Sequence, residues 1–129
     1  MTKQLDFNVF HKNCPAREFF DKIADKWVLL IIYRLHEQPY YFNELKKDLA
    51  SISPKVLSQK LKILERDGFI SRTIHENNVI RVEYALTTLG AKFAETTLLF
   101  KIWAEDNMQE VIRAQQEFDR NLEVTLNNT

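Results

Sequence analysis

The sequence predicts an α+β fold that is mainly α. Three observations predict it. Apolar residues recur at helical spacing through most of the chain, two β-rich runs flank an asparagine pair past its midpoint, and Gly68 stands where a helix needs a left-handed stop. A chain of 129 residues, 45% apolar and 28% charged, is expected to form a single folded domain, 1–129, with its own core.

Each element has its own signal. Pro15 suits the first turn of a helix, where its missing N–H costs nothing, and Phe19, Phe20 and Ile23 follow at helical spacing. Asp25 caps a second helix whose Val28, Leu29, Ile32 and Leu35 form an apolar stripe, with Trp27 in the core. That helix stops before Pro39, because the residue preceding proline avoids helical backbone. Tyr40, Tyr41 and Phe42 are strand-like, and a short helix starts at Phe42 or Asn43, with Asn43 as cap and Leu45 and Leu49 on one face.

After a tight connection, Ser53-Pro54 supplies an N-cap and a first-turn proline together. Leu57, Leu61 and Leu64 then mark the buried face of a helix from about Pro54 to Asp67, closed by Gly68. Phe69 to His75 and Val79 to Leu86 form a β-hairpin around Glu76-Asn77-Asn78, where asparagine tolerates positive φ. A last helical region, 87–129, opens with Thr87-Thr88-Leu89-Gly90. Its Phe93, Leu98, Phe100, Ile102, Trp103, Val111, Ile112 and Phe118 are too many apolar residues for one solvated helix, so another surface must cover them. Four helices, a hairpin and a further helix, in that order, describe a winged helix-turn-helix domain with added N- and C-terminal helices.

The net charge is zero, yet the charges are not evenly spread. From Phe42 to Val82 eight Lys or Arg face five acids, whereas from Thr87 onward four face seven, so the basic charge sits with the helix-turn-helix and hairpin. Opposite the leucine stripe, Lys55, Ser58, Gln59, Lys62 and Arg66 offer donors, acceptors and positive charge to double-stranded DNA. Gln59 is the best candidate for a base contact. Lys55 and Lys62 suit guanine edges or phosphates, and Ser53 and Ser58 suit backbone oxygens. The hairpin, read as the wing, adds Arg72, His75, Asn77, Asn78 and Arg81 for the minor groove or phosphates.

Other chemistries lack their residues. One cysteine excludes an internal disulfide or a thiolate metal cage and fits a reducing, cytoplasmic setting. His11, His36 and His75 lie on different elements without a second ligand at metal spacing and are expected at the surface or wing, so neither metal nor cofactor is expected. Two glycines and no nucleophile–base constellation argue against an enzyme. The first residues, Met1 to Val9, lack the apolar run of a secretory segment, and Val28 to Ile32 falls far short of the roughly 20 residues a membrane helix needs, so no membrane partner is expected.

Several segments together resemble the HxlR-type family of bacterial winged-helix regulators, relatives of the MarR group. They are Cys14-Pro15, the run Asp25 to Ile31, Tyr41-Phe42-Asn43-Glu44-Leu45, the run Ile52 to Leu61, and the run Arg81 to Gly90; coverage is roughly Cys14 to Trp103. The resemblance implies a homodimer built by the first and last helices, which makes 87–129 a helical dimerisation extension. Phe93, Leu98, Phe100, Ile102 and Trp103 would stand at its interface. It also implies a transcription regulator, read here as a repressor, on a palindromic operator. The chain departs from the family pattern at Ala24 and Asp25, where glycine is frequent, and at Asn77 and Asn78, where the wing often carries proline.

In several members a cysteine immediately before that proline senses electrophiles or oxidants, and Cys14 matches its position. A helix N-terminus favours the reactive thiolate form of a cysteine, and an intersubunit disulfide, a mixed disulfide or alkylation by a small electrophile is the chemistry open to a lone thiol. The plainer reading of Cys14 is a small buried apolar residue. Two alternatives to a thiol-sensing regulator follow: a regulator answering to an effector held between subunits, or a winged-helix module that binds protein, whose exposed helix face would be apolar or acidic.

Overall fold

The computed structural model describes residues 6–128, so residues 1–5 and 129 of the expected domain lie outside the described part. The elements run α1 (Pro15–Ile23), α2 (Lys26–Glu37), β1 (Tyr40–Tyr41), α3 (Phe42–Asp48), α4 (Pro54–Arg66), β2 (Ile70–Glu76), β3 (Ile80–Leu86) and α5 (Thr88–Asn127). The three strands form one antiparallel sheet in the order β1-β3-β2. This is the expected winged helix-turn-helix, with α3 and α4 as the helix pair and β2–β3 as the wing. The chain divides into two compact units, one ending at Ala94 and one beginning at Glu95, so the first turns of α5 belong to the winged unit.

The core of the winged unit is made where helical stripes meet one face of the sheet. Ile31 and Ile32 of α2, Leu45 of α3, and Leu57 and Leu61 of α4 are almost completely buried. Tyr40, Ile70 and Tyr84 close the cluster from the sheet. Each such side chain is worth about 1.5–3 kcal/mol relative to leaving it in water. Trp27 lies half-buried against this core, while Phe19, Phe69 and Phe93 stack at its margin with ring centroids 4.9–5.6 Å apart. His11 and His36 are exposed, as expected. No helix among the described residues is long and apolar enough to cross a membrane.

Helix ends follow local chemistry, with two departures from expectation. The Asp25 carboxylate accepts from the backbone N–H groups of Trp27 (2.8 Å) and Val28 (3.3 Å), and Ser53 Oγ accepts from Val56 N–H (3.1 Å). α3 is not capped by Asn43: Tyr41 is its N-cap residue, and the Tyr41 backbone N–H donates to Glu44 Oε1 at 2.9 Å. Phe42 accordingly opens the helix instead of extending the strand. The wing turn also differs. Glu76 pairs with Ile80, leaving a three-residue loop, Asn77-Asn78-Val79, and none of its residues has positive φ.

The one non-glycine residue with positive φ among those described is Ser51, at φ 72°, in the turn between α3 and α4. Gly68 closes α4 at φ 84°, and a Cβ at Gly90 would lie 1.9 Å from the Phe69 carbonyl oxygen. Thr87 joins these two glycines: its hydroxyl donates to Gly68 O and accepts from Gly90 N–H at 3.0 Å.

α4 is tied to α2 by charge as well as by packing, through Lys60 Nζ on Asp25 Oδ2. Partial burial by itself would raise the Asp25 carboxyl, but the Lys60 hydrogen bond, the two backbone N–H groups and the Lys60 charge outweigh it and hold the group below its ordinary value.

Two outcomes are expected. Replacing Ser51 by glycine removes a left-handed strain and should raise stability by about 0.5–1 kcal/mol in chemical denaturation. Because Asp25 is depressed in the folded chain, its contribution is complete above the ordinary carboxylate value and is lost as pH falls through the folded one. Asp25→Asn should therefore be less stable than wild type at neutral pH, by on the order of 1 kcal/mol, and the gap should close on acidification in a pH series of melts.

Candidate nucleic-acid interface

α4 is amphipathic, and its buried side determines what its other side displays. With Leu57, Leu61 and Leu64 facing the core, Lys55, Ser58, Gln59, Lys62 and Arg66 are all exposed. Ser53 is exposed too, but its hydroxyl oxygen already serves as the helix cap. Lys60 is different from its neighbours: its side chain is only 24% exposed and its ammonium is held by Asp25. The basic count of the region therefore overstates what α4 offers to a ligand by one charge.

Strand β2 leaves α4 and returns beside it, which brings Arg72 next to the exposed helix face. Ser58, Lys62, Glu65, Arg72 and Tyr84 line one shallow hollow of about 280 Å³. Arg72 is paired with Tyr84 across the strands and thus shares the face that packs on the core, while extending past it to solvent. Helix and wing consequently present one continuous polar surface carrying Lys62 and Arg72 side by side.

The opposite face of the wing holds the remaining predicted residues. His75 lies across from Arg81, and Glu83 pairs with both Thr73 and Tyr41, so these side chains share one side of the sheet. His75 is half-buried; its Nε2 stands 3.5 Å from Glu83 Oε1, and its ring meets Tyr41 edge-on at 6.0 Å. The Arg81 guanidinium lies over the Tyr41 ring, 4.2 Å from its centroid. Asn77 and Asn78 are exposed at the tip beside two exposed apolar residues, Val79 and Ile80. A cleft of about 740 Å³ runs from this tip to the start of α3, where Asn43 and Glu44 line it. The sequence marks Asn43 only as a cap; freed from that task, its amide joins the polar residues around the wing.

Cys14 lies apart from these residues, as the N-cap residue of α1 ahead of Pro15. It is buried, 6% exposed, and borders a hollow of about 560 Å³ lined also by Phe7, Asn8, His11 and Asn13. Of the residues expected at a subunit interface, Phe93 is drawn into the core margin with Phe19 and Phe69. Leu98 is half-buried, and Phe100, Ile102 and Trp103 are exposed on α5.

Comparison with known proteins agrees with this geometry. Residues 22–112 match the family model described as HxlR-like helix-turn-helix. The chain is 34% identical over 118 residues to the uncharacterized HTH-type transcriptional regulator YtfH of Escherichia coli (strain K12), covering 91% of this chain and 94% of that protein. Among solved structures, the putative transcriptional regulator ytfH from Salmonella typhimurium superposes with a TM-score of 0.79 at 33% identity, over 87% of this chain and 99% of that one. The redox regulator HypR in its reduced form superposes with a TM-score of 0.70 at 30% identity, over 78% and 98%.

The contrast between Lys60 and Lys62 is testable by salt titration of DNA affinity in fluorescence anisotropy. Lys62→Ala should shallow the slope of log K against log salt by about 0.9, the value of one lost phosphate contact, whereas Lys60→Met should leave the slope unchanged and lower stability instead.

Proposed function

The chain belongs to the HxlR-like helix-turn-helix family, whose members are DNA-binding transcription regulators and not enzymes, and we propose that it acts as a homodimeric repressor with a thiol switch at Cys14. The observation that carries the DNA-binding part is the exposed face of α4, where Lys55, Ser58, Gln59, Lys62 and Arg66 stand together with Arg72 alongside. That face is basic and polar, and neither apolar nor acidic as a protein-docking helix would be. Gln59 reads a base edge, Lys55 and Lys62 reach guanine or phosphate, Arg66 and Ser58 hold the backbone with Arg72 beside them, and the wing carries Arg81, His75, Asn77 and Asn78 to the minor groove or its phosphates.

The second copy is supported by the apolar residues left exposed along α5, Phe100, Ile102 and Trp103 among them. Two copies related by a two-fold axis read a palindromic operator, since the symmetry of the site mirrors that of the protein. The protein works on chromosomal DNA in the cytoplasm, where Cys14 stays reduced until an oxidant or electrophile appears.

The sensing part rests on Cys14 at the start of α1 and the hollow beside it, and on the likeness to the redox regulator HypR. With one thiol per chain, oxidation joins Cys14 to a thiol of another molecule or of the partner subunit, and an electrophile such as a quinone adds to the sulfur.

A gel-shift titration on the DNA flanking its own gene tests both parts. Wild type should bind selectively and lose affinity about tenfold or more after diamide or quinone treatment, while Cys14→Ser should bind equally well and ignore both reagents. Binding that is indifferent to sequence would overturn the regulator reading; equal sensitivity in the two proteins would overturn the thiol switch.

A further inference from the structure

Arg81 is held in an unusual way for a surface cation. Its guanidinium lies 4.2 Å from the centroid of the Tyr41 ring, and among the described residues it forms no ion pair with a carboxylate. The nearest acid along its own strand on that face, Glu83, is turned to His75 at 3.5 Å. An arginine paired with a carboxylate has much of its charge and several N–H donors already used, as Lys60 shows on Asp25. Stacking on an aromatic ring engages only the flat face and leaves the donors around the edge, and the full charge, open.

The ring itself is well anchored. Tyr41 pairs with Glu83 through β1–β3, its backbone N–H is bonded to Glu44 at the start of α3, and its side chain abuts His75. Tyr41 therefore links the first helix of the helix-turn-helix to a cation on the wing. Arg81 also lines the cleft that holds the Asn43, Asn77 and Asn78 amides, along with Glu44 and the apolar Val79, Ile80 and Val82.

We propose that Tyr41 is a positioning residue for DNA binding: its ring orders the Arg81 guanidinium on the wing without neutralising it, so that Arg81 meets a phosphate already oriented. The ring touches no DNA and acts through Arg81. The proposal rests on the DNA-binding reading and goes beyond it in assigning a role to a residue outside the α4 face and the wing. The benefit is the rotamer freedom that Arg81 no longer loses on binding, and a cation–π contact at an exposed position supports a two- to fivefold effect, on the order of 0.5–1 kcal/mol.

A double-mutant cycle decides it, with a fluorescein-labelled mixed-sequence duplex as probe, since phosphate contacts do not depend on sequence. Arg81→Ala should weaken binding and shallow the salt slope by about 0.9. Tyr41→Leu should weaken binding about two- to fivefold in the wild-type background and not at all in the Arg81→Ala background, while Tyr41→Phe, which keeps the ring, should match wild type. A Tyr41→Leu loss that persists without Arg81 would mean the ring supports the fold and would overturn the proposal, as would wild-type affinity in Tyr41→Leu. Should Tyr41→Leu fail to fold by circular dichroism, Arg81→Lys supplies the same test: it keeps the charge and loses the planar stack, so affinity equal to wild type overturns the proposal. Absence of salt-dependent binding by the wild type would instead bring down the DNA-binding reading itself.

Discussion

The burial of Leu57, Leu61 and Leu64 is the constraint on which the rest of the molecule depends. Once these three side chains are committed to the core against Ile31 and Ile32, the rotation of α4 about its axis is set, and a helix of 3.6 residues per turn must present positions 55, 58, 59, 62 and 66 to solvent. The remaining freedom of the helix is its slide along the core. Ser53 and Pro54 at one end, Gly68 at the other, and the Lys60–Asp25 pair near the middle remove it. A reading surface is useful to the extent that it is held rigid before its target arrives, and here rigidity is a by-product of packing.

Much of this was legible because the signals were local. Ser53-Pro54, Gly68 and Asp25 each act within one turn of their own helix, and the structure uses all of them as the sequence suggests. The leucine stripe is likewise a matter of spacing alone, and with it came the exposed face of α4. The α3 cap was missed although its signal was present: Glu44, three residues after Tyr41, is the acceptor of a capping arrangement whose first member need not be a small polar residue. The wing turn was misjudged because asparagine tolerates positive φ without requiring it, and a three-residue loop met the strands' register without it. Ser51 gave no warning at all, since nothing about serine marks a left-handed backbone.

What the sequence hides most completely is partnership across distance. Lys60 lies in a basic stretch and looks like one more cation for a ligand, yet a carboxylate 35 positions earlier in the chain takes it. Arg81 and Tyr41 are brought together by the register of β3 with its neighbours, which no spacing rule reveals. The formal balance of charge misleads for the same reason. Acids concentrate beyond Thr87 and one basic residue of α4 is neutralised internally, so a chain of zero net charge still carries a basic face. Local field, not total charge, governs what approaches a given surface.

The two glycines meet at one junction, where Gly68 turns the chain out of α4, Gly90 lets α5 press against the Phe69 carbonyl, and Thr87 bonds to both. Every other position in the 129 carries a Cβ, including the left-handed corner at Ser51. A backbone so poor in glycine explores fewer conformations when denatured, and three prolines narrow that ensemble further. Some of the stability of this small domain thus arises from the poverty of the alternatives to the native state, a contribution that no inventory of native contacts would record.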